Sequence, residues 1–562
     1  MNRLPIPSLA KRPVQRGEAV IGQRSFGFGA REFCRLFRDE PLRLSVVLRN
    51  GGNPRHRVAL NTDIGAAAPG EWRDYDFQTG DGIHYRLELA IPKCGLYRFR
   101  LKYSLDDGDH WHWDRAPHSY VLVDPPGLRT VRLYTLIPNA SGTLRDWKAL
   151  LPGIAAMGFD SLHLLPIARM GQSQSPYAAA DLFAVDPRYL DPSDSRDVLT
   201  QFEAFVEDCR AHGLRLCLDL VLNHVAADSD MATLSPDWIV PDEDEPDGLK
   251  RTGCWHRQDW IRWDDLVAVN YDHPNPHTRR LIWDYMKQYA LFWSNYAALT
   301  GGMVRFDNLH SSNPAFLAEL GPAVREQFPD MIILGEYFTD QFTLERTVPE
   351  WGINLVLANT WEHPFGPQLR HYLEYLHQVS GKLRHLTPIT THDTGTPAQL
   401  FGSELSVVCR YAIVALFTTG QTGIVQGVEA GVKDRIPFIG PLQRLVLPAE
   451  PNYRIFIGKI NALLAEHAVF RRGGNLAFVD GGHEAILGAW RKPASSSEAG
   501  FLLFSNLDIY HPQSLSADLN RYGIGAPLKL TEMLSGETLA LDAPTLSLTL
   551  EPCGVRVYRM GN

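Results

Sequence analysis

Two short apolar runs in this chain end in carboxylates: Met303-Val304-Arg305-Phe306-Asp307 and Met331-Ile332-Ile333-Leu334-Gly335-Glu336. Between them Pro314, Phe316, Leu317, Leu320 and Val324 recur at helical spacing, so Gly301 to Glu336 reads as a βαβ unit with an acid at each strand end. Arg305 stands two residues before Asp307. Side chains alternate along a strand, so the guanidinium and the carboxylate share a face, and the cation would hold Asp307 ionised. Such a pair suits a nucleophile with its electrostatic support. It suits a structural ion pair equally well, and this stretch alone does not decide between them.

Three more chemically equipped segments follow apolar runs: Asp219-Leu220-Val221-Leu222-Asn223-His224, Thr391-His392-Asp393-Thr394-Gly395, and Ser175-Pro176-Tyr177-Ala178-Ala179-Ala180-Asp181. The elements that must position them are eight short strand candidates separated by helical periods. These are Val131 to Ile137, Ser161 to Leu165, Leu214 to Leu222, Met303 to Asp307, Met331 to Glu336, Ile353 to Leu357, Thr387 to His392 and Gly423 to Gln426. In one intervening helix Val198, Phe202, Phe205, Val206 and Cys209 share a face, and Gly213 stops it. Eight βα units imply a closed (β/α)8 TIM barrel with its chemistry at the C-terminal strand ends. A doubly wound open sheet is the alternative, but no GxGxxG follows any strand, which removes the usual reason to expect a dinucleotide.

Texture divides the 562 residues into three domains. Residues 1–128 alternate in the manner of a β-sandwich, and Pro125-Pro126-Gly127 reads as a linker. Residues 129–466 carry the barrel, with a polar insertion at about 225–273 after its third strand. Residues 467–562 return to β texture in the runs Ile486 to Trp490, Gly500 to Asn506, Leu528 to Leu534 and Thr545 to Tyr558, a second β-sandwich.

Net charge is −9 with both signs interspersed, which indicates neither a nucleic-acid partner nor a polybasic membrane patch and suits a neutral substrate. The seven cysteines lack CxxC spacing, so a disulfide framework and a zinc site are both disfavoured. The segment Met1 to Pro7 lacks the apolar run of a secretory signal, and no stretch is long enough for an uninterrupted transmembrane helix. A cytoplasmic setting is expected.

Tryptophans concentrate in two places. The insertion holds Trp238, Trp255, Trp260 and Trp263 beside the acidic run Asp242-Glu243-Asp244-Glu245, and Trp111-His112-Trp113-Asp114 closes the N-terminal β region. Indole faces stack on sugar rings, but each of these residues could instead anchor its segment.

Taken in order along the chain, the five strand-end motifs strongly resemble the α-amylase superfamily, glycoside hydrolase family thirteen, over about residues 130 to 466. The flanking sandwiches and the inserted third loop suit that family's plan. Arg-Phe-Asp-Asn-Leu-His-Ser and Gly-Glu-Tyr-Phe-Thr look like the transferase domain of glycogen debranching enzymes. Leu164-Leu165-Pro166-Ile167, Ser175-Pro176-Tyr177 and Pro236-Asp237-Trp238 look more like bacterial maltosyltransferases. The resemblance implies that Asp307 is the nucleophile, Glu336 the general acid/base and Asp393 the acid that grips sugar hydroxyls. It further implies that His224 and His392 bind sugar, that Arg305 supports the nucleophile, that Tyr177 stacks, and that Asp219 and Asn223 form the structural half of the first motif. Met303 replaces a common Gly, His310 follows the nucleophile by three residues rather than four, and Thr391 replaces a common Asn. The first two departures break the pattern from which many members build a calcium site, and six or more oxygen ligands cannot be assembled from the sequence. No metal or cofactor is therefore expected.

The activity implied by the resemblance is that of a retaining enzyme acting on α-1,4, possibly α-1,6, bonds of maltodextrin or glycogen. With Asp307 ionised, its charge should raise the pKa of Glu336 and keep that residue protonated for the first step. A non-catalytic carbohydrate-binding scaffold would be expected to lack one of the three acids. A small-disaccharide phosphorylase or isomerase would call for a basic clamp where this insertion is acidic.

Overall fold

The computed structural model describes residues 18–21, 24–27, 33–48, 52–68, 70–113, 118–256 and 259–561. The N-terminal segment Met1 to Pro7 and Asp114 of the tryptophan motif lie outside the described residues.

The N-terminal β region forms two sheets. One runs Arg24–Gly27, Glu18–Ile21, Leu42–Val47, His84–Leu89, Gln78–Thr79; the other runs Phe33–Phe37, Ser119–Asp124, Gly95–Ser104, Arg57–Thr62, Arg73–Asp76. Period-two alternation sets the core, since Leu42, Leu44 and Val46 point inward and pack with Val58, Leu60, Phe99, Leu101, Val121 and Val123. Trp111 and Trp113 take no part in that core. Both lie over the Lys102 ammonium, at 4.5 and 5.1 Å, and Trp113 remains exposed. The expected linker is a tight 3-10 turn, Pro126–Thr130, pinned by the buried Leu128.

The barrel strands are β1 (Arg132–Leu136), β2 (Ser161–Leu164), β3 (Arg215–Leu220), β4 (Met303–Phe306), β5 (Ile332–Gly335), β6 (Leu355–Leu357), β7 (His385–Pro388) and β8 (Thr422–Val425). All neighbours pair in parallel, and β8 pairs with β1 to close the ring. The open-sheet alternative is thereby removed. Helix Val198–Ala211 begins where the Asp197 carboxylate accepts from the Thr200 N–H, buries Phe202, Phe205, Val206 and Cys209, and stops at Gly213 with φ +69°. Helix Pro314–Gln327 likewise buries Phe316, Leu317, Leu320 and Val324.

Three expectations need correction. β7 ends at Pro388, not His392, so His392 and Asp393 stand on a turn in which the Thr394 N–H reaches Thr391 O at 3.4 Å; proline has no N–H with which to continue a ladder. The insertion is more than a loop: His224–Ala226, Asp259–Ala268 and Arg251–His256 form a three-stranded antiparallel sheet in that spatial order, beside a short helix, Asp230–Leu234. The run Thr545 to Tyr558 is two strands, Thr545–Leu550 and Val555–Met560, broken at Glu551-Pro552-Cys553-Gly554, where Cys553 adopts φ +54°. The first pairs with Gln513–Asp518, and the second joins a six-stranded sheet with Phe501–Asn506 and Leu528–Glu532. Five of the seven cysteines are buried. Among the described residues no helix is long and apolar enough to cross a membrane.

Candidate active site

The site is assembled at the C-terminal ends of β3, β4 and β5 and on the turn after β7. Backbone bonds continue just past the strands and aim the acids: the Asp307 N–H donates to Leu220 O at 3.1 Å, and the Glu336 N–H to Phe306 O at 3.0 Å. Asn308 then turns the chain through a left-handed conformation, φ +46°, and donates its N–H to Glu336 Oε2 at 3.1 Å. An asparagine tolerates that region better than most residues.

Arg305 is the hub. Its Nη1 donates to Asp307 Oδ1 at 2.9 Å and to Asp219 Oδ2 at 2.5 Å, while Nη2 meets Glu336 Oε2 at 2.8 Å. One buried guanidinium therefore serves three carboxyl groups. Asp219 Oδ2 also accepts from Tyr177 OH at 3.0 Å and faces His163 Nε2 at 3.2 Å. Burial by itself would raise the Asp219 pKa, but Arg305 and His163 outweigh it and hold this carboxyl below the usual range.

Asp307 is different. Burial, joined by the Glu336, Asp219 and Asp393 carboxylates, pushes its pKa well above the usual range against the pull of Arg305. Arg305 favours the charged form of Asp307 as expected, but burial and the neighbouring carboxylates outweigh it, so the shift runs upward. A single positive charge shared by three acids cannot neutralise each of them, and Asp307 lies among the others.

Across the pocket, Tyr177 lies parallel to His392, with 3° between planes and 5.6 Å between centroids, and its OH is 2.6 Å from His392 Nε2. Tyr177 OH donates its proton to Asp219, so it accepts from His392, and Nε2 is the protonated nitrogen. The same Nε2 stands 3.0 Å from Asp393 Oδ2. Asp393 is half-exposed; its surroundings remove some water from it, but His392, Arg305 and Arg435 together hold its carboxyl below the ordinary value. Phe438 presents its edge to both the Tyr177 and the His392 ring, and the Arg435 guanidinium lies 5.1 Å from the centroid of Phe438.

His224 sits beneath Tyr177. Its Nε2 donates to Tyr177 O at 3.1 Å, its Nδ1 is buried without a partner, and burial lowers its pKa to about 4. The Trp263 ring is 6.0 Å away. Of the insertion tryptophans, Trp238 packs edge-on against Tyr285 of helix Pro276–Ala298, Trp263 packs with Ala178, Ala226 and Leu266, and Trp260 is half-exposed.

The sequence motifs thus meet in one place. Residues they did not single out are His163, Thr135, Phe438 and Arg435. A histidine amid the apolar strand Ser161–Leu164 was a readable signal; the last two come from the segment after β8, where no strand-end pattern marks them. Of the two positions tied to the family's calcium pattern, His310 is exposed, whereas Asn223 is buried with its side-chain oxygen unpartnered.

The closed parallel barrel thus brings Asp307, Glu336 and Asp393 to its C-terminal face, where barrels of this kind carry their chemistry. Residues 127–246 match the family model described as glycogen debranching enzyme, glucanotransferase domain. The alpha-1,4-glucan:maltose-1-phosphate maltosyltransferase of Myxococcus xanthus is 26% identical over 501 residues, 82% of this chain and 73% of that protein. The cyclomaltodextrinase of Geobacillus thermopakistaniensis is 24% identical over 486 residues, 79% of this chain and 75% of that one. An α-amylase structure from Lactobacillus plantarum superposes with a TM-score of 0.62 at 18% identity, covering 77% of this chain and 99% of the other. In sequence and in fold this chain is similar to the α-amylase superfamily, glycoside hydrolase family thirteen. The relatives it resembles are named as glucan-acting enzymes of the α-amylase type.

Proposed function

We propose that the chain is a retaining α-glucan transglycosylase, with the chemistry carried by residues 129–466. The observation that supports this most is the single guanidinium of Arg305 bonded to Asp307 through Nη1 and to Glu336 through Nη2. One rigid fork keeps the two carboxyl groups close, in keeping with the separation of about 5–5.5 Å that retaining enzymes use. Asp307 attacks the anomeric carbon to form a glycosyl ester while Glu336 gives its proton to the departing oxygen. Glu336 then takes a proton from the incoming hydroxyl as the ester is opened. The first step needs the pair's proton on Glu336. Since Arg305 already touches both acids, a small shift of its fork toward Asp307 moves the preference in that direction.

Asp393 and His392, joined at 3.0 Å, are suited to gripping adjacent sugar hydroxyls, and the Tyr177 ring to stacking on the sugar held between them and Asp307. His224 would act by fixing the Tyr177 backbone, and Asp219 by anchoring Arg305, rather than by direct sugar contact. Transfer is favoured over hydrolysis by the names of the maltosyltransferase relative and of the matched glucanotransferase domain. Hydrolysis is the second reading, favoured by the cyclomaltodextrinase relative, since water can open the same ester.

The test is to incubate the chain with maltooligosaccharides, with and without maltose-1-phosphate, and to follow chain lengths, reducing ends and free phosphate. A redistributed ladder without new reducing ends, or chain extension with phosphate release, supports transfer. Net glucose or maltose release assigns hydrolysis. An unchanged ladder under both conditions would sink the proposal.

A further inference from the structure

Asp219 carries no sugar-binding geometry of its own, yet it receives three donors on a single oxygen. Two of them, Arg305 and Tyr177, belong to the motifs; the third is His163 on β2. His163 is buried, and both of its ring nitrogens are committed: Nε2 faces Asp219 Oδ2 at 3.2 Å and Nδ1 faces Thr135 Oγ1 of β1 at 3.1 Å. A carboxylate only accepts, so Nε2 bears the proton, and the threonine hydroxyl donates to Nδ1. The tautomer is therefore fixed from both sides.

We propose that His163 is a positioning residue of the glucan-cleaving site: locked by Thr135 as the Nε2–H tautomer, it holds the carboxylate on which Arg305 turns beneath Asp307 and Glu336. This rests on the function proposed above. The chain of contacts runs Thr135, His163, Asp219, Arg305 and then the two reacting acids, so four neighbouring strands, β1 to β4, are tied through side chains. Arg305 Nη1 is divided between Asp219 and Asp307. Whatever Asp219 gains from His163 reduces its demand on that nitrogen and leaves more of the guanidinium for Asp307. The groups facing His163 are Asp219 from β3, Arg305 from β4 and His392 from the turn after β7, its ring 6.4 Å away. Burial lowers the His163 pKa against the pull of Asp219, so the ring stays neutral while the acids work. Had it carried a charge, the Thr135 hydroxyl could not donate to it.

His163 borders a cavity lined also by Thr135, Arg305, Thr390 and His392, so a leucine can be accommodated there. His163→Leu should lower kcat on maltooligosaccharides by about 10- to 100-fold, the scale of losses when a supporting hydrogen bond behind a reactive group is removed. KM should not change, because no sugar contact is lost. Without its third donor the Asp219 charge bears more strongly on Asp307 and Glu336, so the acidic limb of the kcat/KM profile should move to higher pH. His163→Gln, which can still donate toward Asp219 and accept from Thr135, should restore most of kcat and return the limb. A purely structural role predicts lost melting temperature with an unmoved limb and no rescue by Gln. A folded His163→Leu chain with wild-type kcat and an unshifted limb overturns the proposal, as does a Gln variant no better than Leu. A wild-type chain inactive on every α-glucan tested would instead remove the function on which it rests.

Discussion

Glu336 shares its cation with Asp307: Arg305 Nη2 lies 2.8 Å from Glu336 Oε2 and Nη1 2.9 Å from Asp307 Oδ1. In the mechanism proposed above, the acid/base is therefore tied to the residue whose charge it would follow during turnover. A substitution at Glu336 will be felt through Arg305 as well as through the missing proton donor. Glu336→Gln should slow glucan substrates, whose leaving oxygen needs a proton, far more than activated aryl glycosides, which leave unaided. Steady-state rates on both classes check this; equal losses would remove Glu336 from the acid role.

Asp307→Asn removes the attacking oxygen and should reduce turnover by at least about 10³-fold, as other nucleophile losses do, while maltooligosaccharide binding measured by calorimetry persists. More than a tenth of wild-type activity would mean that another group attacks.

The same variant makes a prediction about stability. The Asp307 pKa is raised in the folded chain, so the native state holds this proton at a pH where the unfolded chain has lost it. Its contribution to stability is therefore greatest below the unfolded value and falls as pH rises towards the folded one, the reverse of a salt-bridged carboxylate. Asp307→Asn should melt higher than wild type at pH 7, and the difference should shrink as the pH is lowered towards 4. A constant difference across that range would show that the Asp307 pKa is not raised by folding.

The insertion tryptophans now separate. Trp238 and Trp263 are packed, so Trp238→Ala and Trp263→Ala should lower the melting temperature. Trp260 is half-exposed, its ring lying against Gly253 of the paired strand, and Trp260→Ala should lower the ratio of transfer to hydrolysis, if it holds the acceptor by stacking. Product analysis at high maltooligosaccharide concentration measures that ratio; an unaltered ratio returns Trp260 to an anchoring role.

Activity should survive exhaustive chelation, because the proposed steps use carboxylates alone and Met303 and His310 depart from the pattern on which a calcium site would be built. Calcium-reversible loss in EDTA would contradict this.

Much of the positioning framework was legible because barrel strands announce themselves as short apolar runs with chemistry at their ends; Asp307 and Glu336 follow β4 and β5 directly. Period two also placed Arg305 on the Asp307 face, where they meet at 2.9 Å. What it could not show was the third dimension of the same arginine. That Arg305 also reaches Asp219 and Glu336 depends on the closure of neighbouring strands, which bury Asp307 and bring the other carboxylates near enough to push its pKa upward. His163 was visible as a polar residue in an apolar strand, but its meaning depends on Thr135 and Asp219 from the strands on either side. The split of Thr545 to Tyr558 was written in Pro552 and Gly554, and the alternation on both sides obscured it.

The first strand of the inserted sheet begins at His224, which is paired in register with Ala268 and whose side chain holds the backbone of Tyr177. The excursion looks like a detachable module, yet its opening residue holds Tyr177 in the candidate site. Exchanging insertions between relatives would therefore fail at a junction placed after His224 and succeed only when Tyr177, His224 and the returning strand travel together. Loop and pocket would have to diversify as one inherited block.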